Sequence, residues 1–468
     1  MKIRPRLIDS LTATMIPLPP SSEKKPLRLF VCGPTVYDFL HIGNARTYLV
    51  FDVFARYLRS IGIHVFYLQN ITDVDDKIII RSDRDHSTPA AVAKKYQKAY
   101  FANMKALGVT SVDKYAPATK FISSIVRQVE RLIQKGHVYK AADGYYFDLV
   151  TFPDYGHLAR RTVSQAEDGV SRIDEGVTKR NRGDFCVWKF SKPGEPTWKT
   201  PLGAGRPGWH IEDTAISEHF FGPQYDIHGG GVDLKFPHHE AEIAQQESAS
   251  GKKPFVKIWL HVGSLTVNGK KMSKSSGNFV TINDFLKIHT PETLRFMTLS
   301  SHYRSPLDYT EETALAYQQS AKNIADFIYR LEFVEIHSKL KPTKKISGTR
   351  EETKNLSTRF FSALADDFNT PQALATLFEF MGSLQSQTWN LSPEEALSYR
   401  QTFLTLLSVF GLSYKKLKIP LKIRILTKAR EKARIDKQFI QSDDLRKQIN
   451  TLGYNLDDTP LGQFVRPR

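Results

Sequence analysis

The stretch Cys32–Thr47, with the sequence CGPTVYDFLHIGNART, combines a thiol, an imidazole and a glycine-containing turn. It follows an apolar run, Leu27–Val31, that has the composition of a buried strand, and it precedes the apolar-periodic segment Tyr48–Leu58, which predicts a helix. Helix starts bind phosphate because their first N–H groups lack partners and the helix dipole is positive there. His41 could donate to a phosphate oxygen, and Gly43 would let the backbone approach it. A plain strand-helix turn is the alternative.

Local patterns predict three further elements along the chain. They are a strand over His64–Asn70, a helix over Phe121–Lys135 and a hairpin-like segment over Val138–Leu149.

A basic loop lies far downstream at Lys270–Asn278, with the sequence KKMSKSSGN. Its lysines, Lys271 and Lys274, flank Met272 and Ser273. Glycine and serine favour a mobile loop, and lysine ammonium groups attract phosphate charge. A solvated basic surface loop is the alternative.

The order of these two features, a HIGH-like turn followed by a KMSKS loop, is similar to the paired signature of class I aminoacyl-tRNA synthetases. Four segments resemble cysteinyl-tRNA synthetases throughout: Val31–Thr47, Gln69–Ile79, Pro207–Ala215 and Asp226–Gln245. The resemblance extends from Leu27 to the C-terminus. It implies an α/β fold with a Rossmann-like parallel sheet in the catalytic domain, an inserted connective domain, an α-helical bundle and a small C-terminal anticodon-binding domain.

The resemblance implies ATP-dependent attachment of L-cysteine to tRNA(Cys). The cysteine carboxylate attacks the α-phosphorus of Mg-ATP, pyrophosphate leaves, and the tRNA 3′-terminal adenosine takes the acyl group from cysteinyl-adenylate. Positioning and charge stabilisation then carry the rate. By resemblance, His41, Asn44, Lys271 and Lys274 are catalytic, and ATP binds His41, Gly43, Asn44 and Lys274. Asn44 replaces the final histidine of HIGH, and it cannot carry charge, so we expect a modest loss of rate.

A metal hypothesis rests on the segment that begins at Pro237. Proline at the first helical position predicts a helix starting there, which places His238 and Glu242 on one face, close enough to share an ion. A surface hydrogen bond is the alternative for such a pair. The resemblance implies one zinc per chain, held by Cys32, His238, Glu242 and the residue at position 213. That residue is Asp213, where the family has cysteine.

Aspartate is an acceptable zinc ligand, so a Cys/Asp/His/Glu site is chemically possible, with a weaker hold on the ion. Binding by three residues and loss of the metal are the alternatives. We expect zinc to be retained because Cys32, His238 and Glu242 are present. A hydrophobic pocket rejects a near-isostere such as serine by only about 10- to 200-fold, whereas zinc selects the cysteine thiolate by bond type.

Three further residues match positions around the bound cysteine in the family: Thr72, Trp209 and His228. By resemblance, they close the pocket and orient the ligand. From the residues alone, Thr72 could cap the helix that the following aspartates begin, and Trp209 could belong to the core.

The composition is that of a basic globular protein. Its 468 residues suffice for two or more domains, and Lys plus Arg number 66 against 49 Asp plus Glu, a net charge of +17. This excess favours a polyanionic partner such as tRNA, although a ribosome or a membrane surface would also fit. The two cysteines suit a reducing compartment, and Cys186, among aromatic residues, is expected to be buried. No apolar run reaches the ~20 residues of a membrane span. We therefore expect a cytoplasmic monomer without a membrane partner.

The C-terminal part of the sequence has a pattern typical of helices, followed by a strongly basic segment. Apolar spacing predicts helices over Glu311–Leu340 and Asn355–Leu384, separated by a linker over Lys341–Lys354, and Ser392 is a predicted N-cap of a helix reaching Phe410. We predict seven segments: an N-terminal arm, 1–26; the first half of the catalytic domain, 27–115; a connective insertion, 116–205; its second half, 206–265; the KMSKS loop and junction, 266–315; a helical bundle, 316–413; and an anticodon-binding domain, 414–468.

Ten basic residues lie between Ser413 and Lys437, beginning with Lys415. A solvated helix could carry this charge. By resemblance, Arg434, Asp443 and Asp458 read anticodon bases, since arginine planes stack on bases and carboxylates accept from base edges. Phe439 replaces the more usual tryptophan and keeps an aromatic face. Two other functions stay open: a ligase that joins cysteine to a non-tRNA amine, and a non-catalytic tRNA-binding paralogue.

Overall fold

The structure is a computed structural model that describes residues 4–161, 179–274, 276–341, 346–414 and 416–468. The chain divides into two compact units: unit 1 is Met1–Glu311 with Ala365–Phe368, and unit 2 is Glu312–Leu364 with Asn369–Arg468. The strands, in chain order, are β1 (Arg6–Ile8), β2 (Met15–Pro17), β3 (Leu27–Val31), β4 (Val65–Ile71), β5 (Lys114–Pro117), β6 (Val138–Ala141), β7 (Gly144–Phe147), β8 (Phe185–Phe190), β9 (Trp198–Thr200), β10 (Gly203–Pro207), β11 (Tyr225–Gly231), β12 (Val256–Val262), β13 (Leu265–Val267), β14 (Lys270–Lys271), β15 (Leu307–Tyr309), β16 (Tyr454–Thr459) and β17 (Gly462–Pro467).

Helices connect the strands of unit 1 and form most of unit 2. In chain order they are α1 (Ile42–Ser60), α2 (Asp76–Arg84), α3 (Pro89–Ala106), α4 (Ile122–Gln134), α5 (Ile211–Phe221), α6 (Glu240–Ser250), α7 (Ile282–Ile288), α8 (Pro291–Leu299), α9 (Glu311–His337), α10 (Ile346–Ala365), α11 (Thr370–Gln385), α12 (Pro393–Val409), α13 (Leu421–Ile435) and α14 (Phe439–Thr451). Within the described residues, no helix combines the length and apolar character needed to cross a membrane.

Unit 1 is built on a five-stranded parallel sheet with the strand order β12-β11-β3-β4-β5. The α/β class is therefore confirmed, with β3 as predicted and β4 shifted by one residue from the predicted His64–Asn70. Strand β3 pairs with β4, the next strand in the chain, on one side, and with β11, a much later strand, on the other. This reversal is a topological switch point, and ligands bind outside the carboxyl ends of strands at such a point.

Helix α1 begins earlier than the apolar pattern predicted, at Ile42 instead of Tyr48. His41 caps it: His41 Nδ1 accepts from the Asn44 N–H at 3.3 Å, and Asn44 Oδ1 accepts from the His41 N–H at 3.3 Å. This reciprocal capping satisfies two N–H groups at the helix start. Gly43 consequently lies within the first helical turn.

An antiparallel sheet, with the order β6-β7-β8-β10-β9, begins in the predicted insertion, 116–205, and its strand β10 ends two residues beyond it, at Pro207. Its first two strands form the predicted hairpin, and α4 agrees with the helix predicted over Phe121–Lys135. Residues 162–178 of this insertion lie outside the described residues. The prediction for Cys186 was only partly right, because the thiol-bearing residue is half-buried on β8.

A buried arginine ties α1 to the strands around the KMSKS loop. Arg46 Nη1 donates to the carbonyl oxygens of Gly263 and Ser264 at 2.8 and 2.9 Å, and Nη2 donates to that of Ser305 at 2.6 Å. Strand β13 pairs antiparallel with β14, from which the loop emerges, and parallel with β15. The helix after the HIGN turn and the base of the basic loop are thus fixed against each other.

Unit 2 contains the predicted helices, with two corrections. The helix predicted over Asn355–Leu384 is divided between α10, which ends at Ala365, and α11, which begins at Thr370. The predicted linker over Lys341–Lys354 is wrong from Ile346 onward, because α10 begins there. Its buried positions include Thr349 and Thr353, followed by leucine and phenylalanine at helical spacing. Because threonine does not count as apolar, core-facing threonines do not contribute to an apolar pattern, and the pattern therefore predicted a linker for the first half of this helix.

The end of the bundle and the C-terminal segment form as the local sequence indicates. Helix α12 has the predicted capping box, with the Ser392 N–H donating to Glu395 at 2.8 Å and the Glu395 N–H to Ser392 Oγ at 3.2 Å. Helices α13 and α14 pack on the β16–β17 hairpin around a small core of Ile423, Ile449, Leu456 and Val465. Lys415, the first of the ten basic residues, lies outside the described residues.

A buried ion pair gives a test of what holds unit 1 together. Arg295 Nη1 donates to Asp52 at 2.9 Å, and both side chains are almost wholly buried. Asp52→Asn should lower the free energy of unfolding by about 3 kcal/mol, because it leaves a buried guanidinium without its counter-charge. Lys287→Met, which removes an exposed ion pair with Asp284, should change it by less than about 1 kcal/mol. Urea denaturation followed by tryptophan fluorescence measures both, and equal effects would contradict the expectation.

Candidate active site and metal centre

A cavity of about 680 Å³ lies at the switch point of the parallel sheet. It receives residues from the HIGN turn, the KMSKS loop, the ends of β3 and β4 and the start of α5. Ten of the residues predicted from sequence line it: Cys32, His41, Gly43, Asn44, Thr72, Trp209, Asp213, His238, Lys271 and Lys274. The structure therefore brings the predicted nucleotide, cysteine and metal residues of unit 1 to one place, except His228 and Glu242, which lie behind its wall.

His41 is held as a neutral hydrogen-bond donor toward this cavity. Burial lowers the pKa of His41 below its ordinary value, and its Nδ1 accepts the hydrogen bond from Asn44. The ring proton is then on Nε2, by the valence of a neutral imidazole. A Cβ at Gly43 would lie 2.9 Å from the His41 ring and 3.0 Å from Met272 Cε, so only glycine fits between the helix start and the loop.

The lysine of the KMSKS loop has partners that the sequence did not reveal. Lys274 Nζ donates to Asp38, and Arg81 Nη1 lies 2.9 Å from the same carboxylate. Burial by itself would raise the pKa of Asp38, but the hydrogen bond from Lys274 and neighbouring cations outweigh it and lower the pKa. The Lys274 side chain is more than half exposed, and its Nζ lies 5.3 Å from the centre of the Phe279 ring. Asp38 therefore positions a cation at the edge of the cavity.

The four predicted metal ligands converge, although they come from four separate segments. His238 Nε2 lies 3.1 Å from Asp213 Oδ2 and 3.0 Å from Glu242 Oε1, and Cys32 Sγ lies 3.8 Å from Glu242 Oε1. Such separations of about 3 to 4 Å are those of ligands on a tetrahedral ion with bonds of about 2.0–2.3 Å. We call these four residues, Cys32, Asp213, His238 and Glu242, the outer set.

The helix start predicted at Pro237 needs a correction. Regular helix α6 begins at Glu240, and the preceding turn, Lys235–His239, is interrupted by Phe236 in an extended conformation with φ −137° and ψ 131°. His238 lies in the helical part of that turn, so its four-residue spacing to Glu242 still places both side chains on one side.

The electrostatics of the outer set require a cation. Burial, followed by the charges of Glu242 and Asp213, raises the pKa of the Cys32 thiol well above its ordinary value. Burial alone would lower the pKa of His238, but Glu242 and Asp213 outweigh it and raise the pKa to about 10. An imidazolium thus supplies the positive charge that these acids need, and a bound divalent ion would replace that proton. The residues present therefore fit a metal ion.

Asparagine 70 was missed by the sequence reasoning, yet it holds two parts of the site. Its Oδ1 accepts the Gly33 N–H at 2.5 Å, and its Nδ2 donates to Asp213 Oδ1. The second oxygen of Asp213 is left to face His238. A Cβ at Gly33 would lie 1.8 Å from the Asn70 carbonyl oxygen, so glycine permits this approach. Asp213 is thus oriented to offer one oxygen to an ion.

The three residues predicted to surround the bound cysteine, Thr72, Trp209 and His228, lie in three different environments. Thr72 is buried and donates to Glu212; the cap of α2 is Asp75, so the capping alternative for Thr72 is wrong. Trp209 lines the cavity, with Lys77 Nζ 5.4 Å from its ring centre. His228 is fully buried behind Cys32, with Nε2 3.2 Å from Sγ, and does not line the cavity.

The predicted anticodon residues all lie in the C-terminal part of unit 2. Arg434 and Arg430 both pair with Asp458, Arg430 Nη1 at 2.8 Å, and this lowers the pKa of Asp458, chiefly through the Arg430 hydrogen bond. Asp443 is exposed in the second turn of α14. Phe439 is 65% exposed at the start of that helix. The structure brings Arg434 and Asp458 into contact, with an unburied aromatic face on the next helix.

The fold and these two signature segments define a class I tRNA synthetase. The family model described as "tRNA synthetases class I (C) catalytic domain" matches residues 19–320, and the one described as "DALR domain" matches residues 359–415. Methionyl-tRNA synthetase of Mycobacterium tuberculosis, solved with methionyl-adenylate, superposes with a TM-score of 0.61 at 16% identity, covering 82% of this chain and 89% of that one. The LeuRS–tRNA–LeuAMS complex of Agrobacterium radiobacter K84 also gives 0.61, at 12% identity and 84% coverage of both chains.

Curated relatives identify the family within this class. The cysteine–tRNA ligase of Thermococcus gammatolerans is 39% identical over 472 residues, with 98% of each chain covered. The cysteine–tRNA ligase of Methanococcus maripaludis is 40% identical over 455 residues, with 94% of each covered. The chain belongs to the cysteine–tRNA ligase family.

The contacts of Asn70 lead to a prediction about the use of cysteine. Asn70→Ala would free Asp213 Oδ1 and the Gly33 N–H, so the Asp213 oxygen that faces His238 would lose its fixed direction beside the cavity. We expect kcat/KM for cysteine in ATP–pyrophosphate exchange to fall about 10- to 100-fold, as for other losses of partners behind metal ligands. Asn323→Ala, an exposed substitution in unit 2, is the control. An unchanged kcat/KM in Asn70→Ala would show that Asn70 does not orient Asp213.

Proposed function

We propose that this chain attaches L-cysteine to tRNA(Cys) in an ATP-dependent reaction that proceeds through cysteinyl-adenylate. The observation that carries the proposal is that the predicted phosphate-binding elements and three residues of the outer set, Cys32, Asp213 and His238, face one cavity. One group of residues can hold ATP while the other selects a thiol. A cysteine carboxylate between them would be in reach of the α-phosphorus, and holding both reactants in line is the main source of rate in such chemistry.

The ATP phosphates are assigned to the helix start and to the basic loop. His41, as a neutral donor at Nε2, and the backbone at Gly43 bind the phosphates, and Asn44 keeps His41 oriented through the reciprocal cap. As the loop closes, Lys274 exchanges its ion pair with Asp38 for one with the ATP phosphates. Lys271, in strand β14 at the start of the loop, contributes a second positive charge. These groups neutralise the charge that develops on pyrophosphate as it leaves.

The metal is proposed to be one zinc per chain, with Mg-ATP as the substrate form of the nucleotide. The outer set would hold zinc. Bound zinc would supply a coordination position for the thiolate of cysteine, and the hydroxyl of serine cannot fill that position equally well. Thr72 and Trp209 form the wall beside that position. His228 acts indirectly, since it contacts Cys32 from behind.

We assign the tRNA to both units. Unit 1 carries the catalytic halves, 27–115 and 206–265, with the connective insertion, 116–205. Unit 2 carries the helical bundle, 316–413, and the anticodon-binding segment, 414–468, in which Arg434, Asp443 and Asp458 read the anticodon. The net charge of +17 supports binding of this polyanion. A reducing cytoplasm suits the free thiols, and we propose a monomer, which light scattering can measure.

ATP–pyrophosphate exchange tests the proposed activity and the role of Lys274 together. We expect exchange with cysteine and not with serine, and Lys274→Ala should lower kcat about 100-fold, because a charge that stabilises the leaving group is lost. Lys270→Ala is the matched control, since Lys270 is an exposed lysine of the same segment and does not line the cavity.

Folded wild-type protein that exchanges with no amino acid would refute the enzyme and favour a tRNA-binding paralogue. Exchange without transfer to tRNA would instead favour a ligase acting on another amine. Equal rates in Lys274→Ala and Lys270→Ala would remove the phosphate role from Lys274.

The anticodon proposal has a separate test. Arg434→Ala should lower kcat/KM for tRNA about 10- to 100-fold, the size of one lost base contact of about 1–3 kcal/mol, and it should leave cysteine-dependent exchange unchanged. Lys447→Ala, on an exposed position of α14, should have a much smaller effect. Aminoacylation of tRNA(Cys) with native and altered anticodons measures the difference. If Arg434→Ala lowered activity equally on both tRNAs, Arg434 would contribute charge and not base reading.

A further inference from the structure

A second group of metal-ligating side chains lies directly behind the outer set. It consists of Cys32, His228, His239 and Glu242, and we call it the inner set. Cys32 Sγ lies 3.2 Å from His228 Nε2 and 3.2 Å from His239 Nε2. Glu242 Oε1 lies 3.8 Å from the same sulfur. These separations suit a tetrahedral ion as well as those of the outer set do.

One oxygen of the shared glutamate lies beside a histidine of this second group. Glu242 Oε2 is fully buried and accepts no hydrogen bond from the described residues. It lies 3.4 Å from His228 Nδ1, while Oε1 faces His238 of the outer set. A buried carboxylate oxygen without a donor is costly, and an ion would satisfy it.

Both histidines of the inner set are oriented as metal ligands are. His228 Nδ1 pairs with the Tyr225 hydroxyl at 2.6 Å, and His239 Nδ1 pairs with His261 Nε2 at 2.8 Å. In each ring the other nitrogen is thereby left to face Cys32. A ligating histidine nearly always has such a partner on its second nitrogen, which fixes its ring and its tautomer.

The strand beneath the histidines also makes room for them. A Cβ at Gly230 would lie 2.9 Å from His239 Cε1, so a larger residue there would displace the ring. The Trp259 ring stacks on His228, with centroids 4.4 Å apart and planes at 24°. These contacts hold the two rings in the directions described.

Charge and ligand type favour the inner set for zinc in this chain. Thiolate and one carboxylate balance a divalent ion, whereas the outer set adds the second carboxylate of Asp213 and leaves a net negative charge in a buried place. The inner set also offers three nitrogen or sulfur ligands, and the outer set offers two. Zinc favours nitrogen and sulfur over oxygen, so aspartate at position 213 weakens the outer set alone.

We propose that, without cysteine bound, a single zinc ion rests on the inner set, and that Cys32 and Glu242 are shared with the outer set that faces the cavity. The inner position has four protein ligands and is closed, which is the form of a structural site. The outer position keeps three of its ligands on the cavity wall, so it is the one that substrate can reach. This inference rests on the proposed zinc site but concerns where the ion lies, not whether cysteine is activated.

X-ray absorption at the zinc edge of the whole wild-type protein, saturated with Zn²⁺, desalted to remove unbound ions and free of cysteine, tests this without a variant, and the bound zinc is counted on the same sample. Imidazole rings give a distinct multiple-scattering signal, so their number can be counted. We expect two imidazoles, one sulfur and one oxygen. One imidazole with two oxygens would overturn the proposal, and so would two bound ions per chain or no bound ion.

A matched pair of variants gives a second measurement. His239→Gln removes a ligand of the inner set only, and His238→Gln removes one of the outer set only. We expect the Zn²⁺ affinity, measured by chelator competition on protein with native circular dichroism, to fall at least tenfold in His239→Gln and less than threefold in His238→Gln. The reverse order would overturn the proposal. Because neither measurement involves catalysis, a protein that fails to exchange pyrophosphate could still pass both.

Discussion

The parallel pairing of β3 with β11 is the constraint on which the rest of the site depends. The Cys32 N–H donates to the Gly229 carbonyl at 3.1 Å, which joins segments almost two hundred residues apart in the chain. This pairing creates the switch point of the sheet, opens the cavity there, and sets Cys32 against the histidines of the later segment. The HIGN helix starts at this crevice, and Arg46 of the same helix fixes the base of the KMSKS loop against it.

The second organising feature is a surplus of buried acid beside Cys32. A thiol and two carboxylates, from Asp213 and Glu242, surround one imidazole, and burial makes their charges expensive without a cation. Asp213 belongs to only one of two overlapping sets of side chains that could hold an ion, so its charge and its hard oxygen affect the balance between the two sets. Asn70 stabilises the aspartate in its place through a hydrogen bond to Oδ1.

Local patterns predicted much of the fold. Strand β3, the α4 helix and the Ser392 cap follow from short-range rules and were confirmed. The errors have physical causes: His41 extended α1 through its cap, buried threonines hid the start of α10, and an extended Phe236 delayed α6. The first two errors arose where a side-chain hydrogen bond or tertiary burial outweighed apolar periodicity.

By itself, the sequence determined the class of chemistry and ten of the residues that line the cavity, because motif residues carry their chemistry wherever they lie. Only the tertiary structure decided which groups face one another. Asn70, Asp38 and His239 lie in segments that resemble the family, but the sequence did not single them out, and their roles follow from partners distant in the chain. His228 is the opposite case: its sequence segment predicted that it would line the cysteine pocket, but the fold places it behind Cys32. Contacts of this kind depend on strand register and on burial, which a single sequence does not encode locally.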